Sequence, residues 1–352
     1  MSTAPENSPR RVVIAGASGF IGTRLADAYR QEGAQVALIG RPGPRASAAP
    51  GPETTGPDTT GPDTTGPDAA WGDAAAIARL VDGADLLINL AGKSVNCRYT
   101  AANRAEIFRS RLDTTRQLHA AVSAAARPPR LWVNSSTATI YRHADDRPMT
   151  ESTGEIGEGF SVNVATSWEA EFFRGELPGT RRVALRMAIV LGDGSALAPI
   201  RALARAGLGG PQFDGRWPAT PSRLAAGTFH RYRAGSKNGR QRFSWVHLDD
   251  VLGIIRFLDA HPEIDGPVNA AAPNPTDNRT FMASVRRAVG ARFGLPTWRW
   301  MLELGSAAIR TETELVLKSR WVLPERLEAA GYEFLYSDHD AALTAIITGE
   351  HR

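Results

Sequence analysis

Residues 11–22 read Arg-Val-Val-Ile-Ala-Gly-Ala-Ser-Gly-Phe-Ile-Gly, a β-branched run that breaks into three glycines, Gly16, Gly19 and Gly22. This spacing predicts a strand, a tight turn and a helix N-terminus in one line, the geometry that holds a dinucleotide pyrophosphate. Gly16 permits the turn, Gly19 lets backbone approach the phosphates, and Gly22 lets the helix lie close to the strand. The N–H groups of the first helical turn have no partners and carry the positive end of the helix dipole, so they attract phosphate. With Ser18, Phe20 and Ile21 these glycines form the predicted phosphate cradle. A dinucleotide site usually places an acid after the second strand, where it binds the ribose 2′-hydroxyl. Here that place holds Gly40-Arg41-Pro42, and no acid occurs between Glu32 and Glu53. A carboxylate would repel a 2′-phosphate, whereas a guanidinium pairs with it bidentately. The predicted cofactor is therefore NADP(H), with Arg41 on the extra phosphate.

The elements that must position these residues alternate. Strands are predicted at 11–15, 35–40, 85–90, 131–135 and 183–191, and helices at 19–31, 74–81, 101–125 and 159–174. Strands separated by helices argue an α/β fold with a doubly wound parallel sheet, a Rossmann domain whose ligands sit at the C-terminal ends of the strands. Leu90, Ala91, Gly92, Ser135 and Ala188 follow such ends and complete the predicted cofactor contacts. Between residues 42 and 70 the chain repeats Gly-Pro-Asp-Thr-Thr and close variants, which cannot build a core; this reads as a disordered surface insertion. Residues 1–10 read as a flexible N-terminus. The Rossmann domain is expected over 11–200, with 243–262 returning to it. A smaller substrate lobe is expected from 201–242 and 263–310, and a helical tail from 311–352. Residues 211–242 carry seven Lys/Arg and one acid, Asp214. They read as a solvated loop, the alternative being a lid that attracts an anionic substrate.

Composition narrows the classes further. The chain has 352 residues, 42% of them hydrophobic and 22% charged, and a net charge of +4. No compact Lys/Arg run with interleaved aromatics occurs, so nucleic acid is not an expected partner. A single cysteine, Cys97, leaves no internal disulfide and fits a reducing compartment. No metal site is expected, because the histidines lack ligand spacing. No signal peptide or spanning run is read, so the expected location is cytoplasmic and no membrane partner is expected.

Further motifs carry a resemblance. Residues 16–22, Asn89-Leu90-Ala91-Gly92, Ser135-Ser136-Thr137-Ala138-Thr139-Ile140-Tyr141 and Ser244-Trp245-Val246-His247-Leu248-Asp249-Asp250 together resemble the extended short-chain dehydrogenase/reductases, relatives of sugar-nucleotide epimerases. Residues 91–95, Ser110-Arg111 with Thr115, Ser167-Trp168-Glu169, residues 207–210, Gly266-Pro267-Val268-Asn269 and the stretch 324–332 look like the atypical "epimerase family" members that carry a C-terminal domain of unknown function. The resemblance implies NADP(H) binding, a small-molecule substrate and a possible homodimer through helices 101–125 and 159–174. In ordinary members a Ser/Thr polarises the substrate oxygen, a Tyr moves the proton and a Lys four residues later tunes it. Thr137 matches the first of these. Between Glu151 and Gly179 there is neither Tyr nor Lys. Tyr141 and Glu169 are the candidate replacements, with His143 and Lys93 as further possible donors. Two readings remain open: an oxidoreductase or epimerase-like enzyme with a relocated acid/base, and a non-catalytic NADP(H)-binding sensor or scaffold.

Overall fold

The computed structural model describes residues 9–42, 66–194, 197–308 and 312–349. The first half alternates strand and helix: β1 (Arg11–Ala15), α1 (Phe20–Gln31), β2 (Gln35–Gly40), β3 (Ala69–Ala70), α2 (Ala74–Val81), β4 (Leu86–Asn89), α3 (Ala101–Ala124), β5 (Leu131–Thr137), α4 (Phe160–Phe172) and β6 (Arg181–Met187). The second half holds β7 (Ile189–Leu191), α5 (Leu197–Arg205), α6 (Pro221–Ala225), β8 (Arg242–Phe243), β9 (Trp245–His247), α7 (Leu248–Ala260), β10 (Gly266–Ala270), β11 (Thr276–Asp277) and α8 (Asn278–Ala288). Four more helices follow: α9 (Arg299–Ala308), α10 (Glu314–Leu317), α11 (Glu325–Ala329) and α12 (His339–Thr348).

The seven-stranded sheet runs β10-β6-β5-β4-β1-β2-β3, and every pairing in it is parallel. A parallel sheet is covered on both faces, so its central strands are apolar throughout. In β1, Val12 and Ile14 enter one core layer with Leu25, Tyr29 and Ile255, while Val13 and Ala15 enter the opposite layer with Ile77, Leu118 and Phe172. Each such large side chain contributes about 1.5–3 kcal/mol by leaving water. The strand order reverses direction between β1 and β4, which opens a crevice above their C-terminal ends.

Several expected boundaries are corrected. Gly266–Ala270 lies in the main sheet beside β6, not in a substrate lobe. Its proline hid it, yet Pro267 is tolerated because β10 is an edge strand with one side unpaired. The strand expected over 183–191 breaks at Ala188: β6 stays in the main sheet, while β7 turns away and pairs in parallel with β9. Of the expected insertion 42–70, residues 43–65 lie outside the described residues, and Ala69–Ala70 form a short edge strand on β2. Residues 1–8 also lie outside the described residues; Arg10 is tied to Asp259 at 2.7 Å.

The expected solvated loop at 211–242 is instead packed, with Gln212, Asp214, His230, Ser236 and Gln241 all buried. Two of its charges, Asp214 and Arg223, are paired internally, while Arg216, Arg231, Arg233, Lys237 and Arg240 are exposed. Arg299 bonds Asp214 at 2.6 Å and Glu303 at 2.7 Å, and Arg223 reaches Glu303 at 2.9 Å. The tail is built into the lobe as well. Leu343 and Ile346 of α12 share a core with Phe281 and Val285 of α8. The Asp250 carboxylate accepts the Leu335 and Tyr336 backbone N–H groups.

Candidate cofactor and active site

The turn after β1 is built by steric demand. Gly16 has φ +84°, and a Cβ there would lie 2.8 Å from the Leu90 and Ala91 backbone. A Cβ on Gly22 would lie 2.6 Å from Ala17 Cα and the Gly16 carbonyl, so α1 can sit this close to β1 only through glycine. Gly19 caps α1 with no side-chain bond to the first turn. Those N–H groups are left for a ligand, and no acid in the first turn competes for them. The adjoining cleft measures about 360 Å³ and is lined by Gly16, Gly19, Phe20, Ile21, Gly22, Leu90, Ser135, Ile189 and Val190. Seven of these were expected from sequence. Ile189 and Val190 were not, because the break at Ala188 that swings β7 toward the cleft leaves no mark in the apolar pattern.

The other expected cofactor residues surround this cleft without lining it. Ser18 is exposed in the turn. Ala91 is buried, and its N–H is held by the side chain of Asn89, itself bonded to Asn134 at 2.7 Å. Gly92 leaves room for Arg111, whose Cζ would stand 3.1 Å from a Cβ there. Ala188 is buried and donates its N–H to Ala270. Arg41 is exposed directly after β2. Asp68 returns near this strand from beyond the repeat, but its carboxylate accepts the Leu38 N–H at 2.7 Å.

The three candidate catalytic residues lie at the end of β5, just past it and on α4. Thr137 is half-buried, and its oxygen accepts the Thr139 N–H, which leaves its hydroxyl proton to donate. Tyr141 is buried; its hydroxyl accepts from Arg186 and donates to Asn269, both at 2.9 Å. Burial pushes this phenol above its ordinary pKa. Glu169 is buried and held bidentately by Arg186 at 2.7 and 2.8 Å, with the Ser136 hydroxyl at 2.6 Å. Tyr141 and Glu169 are thus joined through one guanidinium into a clamp across β5, α4, β6 and β10. The polar atoms of both side chains are engaged by Arg186, Asn269 and Ser136. His143 is pinned too, accepting the Ser319 N–H on Nδ1 and facing Asp145 at 2.9 Å through Nε2. His247 caps α7.

Where the resemblance would place Tyr and Lys on α4, this chain has Trp168. Its indole N–H donates to Thr115, and its ring lies 5.0 Å under the Arg111 guanidinium. Burial pushes Arg111 down to about 10. The tail supplies a further group that sequence reasoning missed. Lys318 is the one buried lysine of the three in the chain, and its Nζ donates to the Thr139 carbonyl at 2.7 Å. It has no ion-pair partner among the described residues, and burial pushes it down to about 8. The unfolded chain therefore holds one more proton than the native state between about pH 8 and the ordinary value of 10.5, and stability rises with pH across that window. Below pH 8 both states hold the proton and the native state carries the full burial cost. Lys318→Met is expected to raise stability at pH 7 by up to roughly 3 kcal/mol, with the gain fading above pH 8. Urea unfolding at pH 7 and pH 10 checks this; an equal effect at both refutes it.

A second cleft of about 550 Å³ lies in the lobe, lined by Asn238, Arg240, Arg242, Asp277 and Arg279. Asp277 is occupied in capping α8. None of the expected site residues lines this cleft.

Comparison with known proteins finds relatives over nearly the whole chain. Residues 299–346 match the family described as a domain of unknown function, DUF1731. The epimerase family protein SDR39U1 of Bos taurus is 30% identical over 96% of this chain and 99% of its own length. The epimerase family protein YfhF of Bacillus subtilis is 28% identical over 96% and 97%. A crystal structure of human SDR39U1 (isoform 2) with NADPH superposes with TM-score 0.74 at 27% identity, covering 96% of this chain and 99% of that one. A Thermus thermophilus UDP-glucose 4-epimerase in complex with NAD, 15% identical with TM-score 0.65, shares the fold. The sequence model for the NAD dependent epimerase/dehydratase family matches residues 12–271, most of the chain, and the chain belongs to that family.

Proposed function

We propose that this chain binds NADP(H) above the C-terminal ends of β1 and β4 and acts as an oxidoreductase or epimerase-like enzyme on a small molecule. The observation that carries the binding is the glycine cradle, where side chains at Gly16 and Gly22 would strike backbone beside an uncapped helix N-terminus. The NADPH of the human relative supports the same reading. When bound, the nicotinamide supplies or accepts hydride. The α1 N-terminus holds the pyrophosphate, Leu90, Ser135, Ile189 and Val190 wall the cleft, and Thr137 donates to a substrate oxygen as it gains negative charge. The three guanidiniums of the lobe cleft favour a substrate that carries an anionic group.

Arg41 selects the phosphorylated cofactor in this reading. A charged hydrogen-bonding partner is worth about 1.5–3 kcal/mol, so Arg41→Ala is expected to weaken NADPH about 10–100-fold and leave NADH unchanged. Dissociation constants for both cofactors on both proteins check it; equal affinities in wild type end the assignment.

One observation favours a second reading, a non-catalytic NADP(H)-binding sensor or scaffold: α4 carries neither Tyr nor Lys, and Tyr141 and Glu169 are locked to Arg186. Loss of a positioned proton donor costs about 10²–10⁴ in rate. Deuteride transfer from labelled NADPH to a panel of carbonyl compounds separates the two. Transfer supports the enzyme, and tight binding with no transfer across the panel supports the sensor.

A further inference from the structure

Helix α9 is amphipathic the wrong way round. Arg299, Glu303 and Ser306, spaced i, i+4, i+7, are 3%, 5% and 6% exposed. The neighbouring stripe, Trp300, Leu304 and Ala307, faces outward, with Trp300 at 53% and Leu304 at 58%. A water-facing helix normally shows the reverse pattern. The inversion is fixed from inside, because Arg299 and Glu303 are consumed by Asp214 and Arg223 of the lobe.

The exposed stripe continues beyond the helix. Phe293 is 66% exposed, Leu295 56% and Trp298 49%, and Leu203 of α5 is 42% exposed. These segments are joined locally: Leu295 N–H bonds the Gly207 carbonyl, Phe293 abuts Gly207, and Leu208 N–H bonds the Leu203 carbonyl. Exposed apolar side chains gathered on neighbouring segments in this way mark an interaction surface, unlike scattered single residues.

The charges in these segments are mainly cationic, although Arg287 is paired with Asp340 and Arg201 with Asp193. Residues 286–308 contain four arginines and one acid, the buried Glu303, and residues 197–208 contain two arginines and no acid. Arg205 and Arg292 are exposed and have no ion-pair partner among the described residues. A symmetric contact between two copies would bring Arg205 and Arg292 toward their own counterparts, whereas lipid phosphates would neutralise them. We propose that this face, Leu203, Phe293, Leu295, Trp298, Trp300 and Leu304, docks peripherally on a lipid bilayer bearing acidic headgroups. The apolar side chains enter the interface, the two indoles sit at headgroup level, and Arg205 and Arg292 meet lipid phosphates. Among the described residues no helix is long and apolar enough to cross a membrane. The sequence-based expectation of no membrane partner rested on the lack of such a run, and peripheral docking needs none.

The test is flotation of the full chain with phosphatidylcholine vesicles, with and without roughly a third phosphatidylglycerol. Wild type is expected to float with the acidic vesicles, to shift its tryptophan emission to the blue, and to be released by salt. Trp300→Ser with Leu304→Ser is expected to weaken vesicle binding at least about tenfold at an unchanged thermal midpoint. Arg205→Gln with Arg292→Gln is expected to weaken it on acidic vesicles and supplies a readout if the first variant does not fold. No flotation on acidic vesicles overturns the proposal. So does a wild-type dimer in light scattering that the Trp300/Leu304 variant turns into a monomer, since a second copy would then be the occupant. Neither result touches the NADP(H) reading, which is measured separately by cofactor titration.

Discussion

Gly22→Ala is expected to lower NADPH affinity by more than about a hundredfold. The added Cβ would stand 2.6 Å from Ala17 Cα and the Gly16 carbonyl and 3.0 Å from Ala17 C, all of them backbone atoms. No rotamer change relieves such contacts, so α1 must shift away from β1. The shift withdraws the first-turn N–H groups from the place where phosphate has to sit. Two charge-assisted hydrogen bonds lost at about 1.5–3 kcal/mol each already exceed the energy of a hundredfold change. Gly33→Ala makes a useful contrast: that position, unlike Gly22, has positive φ, but a Cβ there meets nothing within 4 Å. It is expected to cost stability through backbone strain and to leave NADPH binding intact. Fluorescence titration of both variants checks the pair, and a Gly22→Ala protein that binds NADPH within about threefold of wild type would mean the cradle is not where the phosphates lie.

How far the site could be read from sequence follows from the range of the forces involved. The cradle was legible because its demands act between near neighbours: residue 22 meets residues 16 and 17, and the apolar run of β1 announces the strand that precedes it. The central strands were legible for a similar reason, since burial on both faces leaves an unbroken apolar stretch. Edges and breaks were not. β10 is written Gly-Pro-Val-Asn-Ala and becomes a strand only because β6 offers it a free edge. The packing inside the lobe was missed because its paired arginines bond residues remote in the chain. Their acids arrive from afar, with Arg299 and Asp214 separated by 85 positions and Arg223 and Glu303 by 80. Lys318 reaches Thr139 across 179 positions, and no local pattern marks it. Tyr141 and Glu169 were read as chemical because residues 151–179 lack the Tyr and Lys that the resemblance implies. Only the fold shows that Arg186 and Asn269 saturate them.

The clamp yields the second large effect. Arg186→Met is expected to destabilise the protein by about 3–5 kcal/mol, because it leaves the Glu169 carboxylate buried without its cation. The Ser136 hydroxyl alone cannot replace the bidentate guanidinium, and Tyr141 loses its donor at the same time. Replacing both partners, Glu169→Leu with Arg186→Met, removes the stranded charge and is expected to recover much of the loss, since well-packed apolar pairs often match buried ion pairs. Denaturant unfolding of the single and double variants gives the coupling energy. A single variant as stable as wild type would show the pair to be dispensable. Glu169→Gln then separates structure from chemistry. It keeps the side-chain volume and the Ser136 contact but loses the charge, so a purely structural Glu169 predicts a stability cost with unchanged NADPH affinity and, where deuteride transfer is detected, an unchanged pH profile for it. A transfer rate that collapses at unchanged stability would return Glu169 to the reaction and leave Arg186 as the group that positions it.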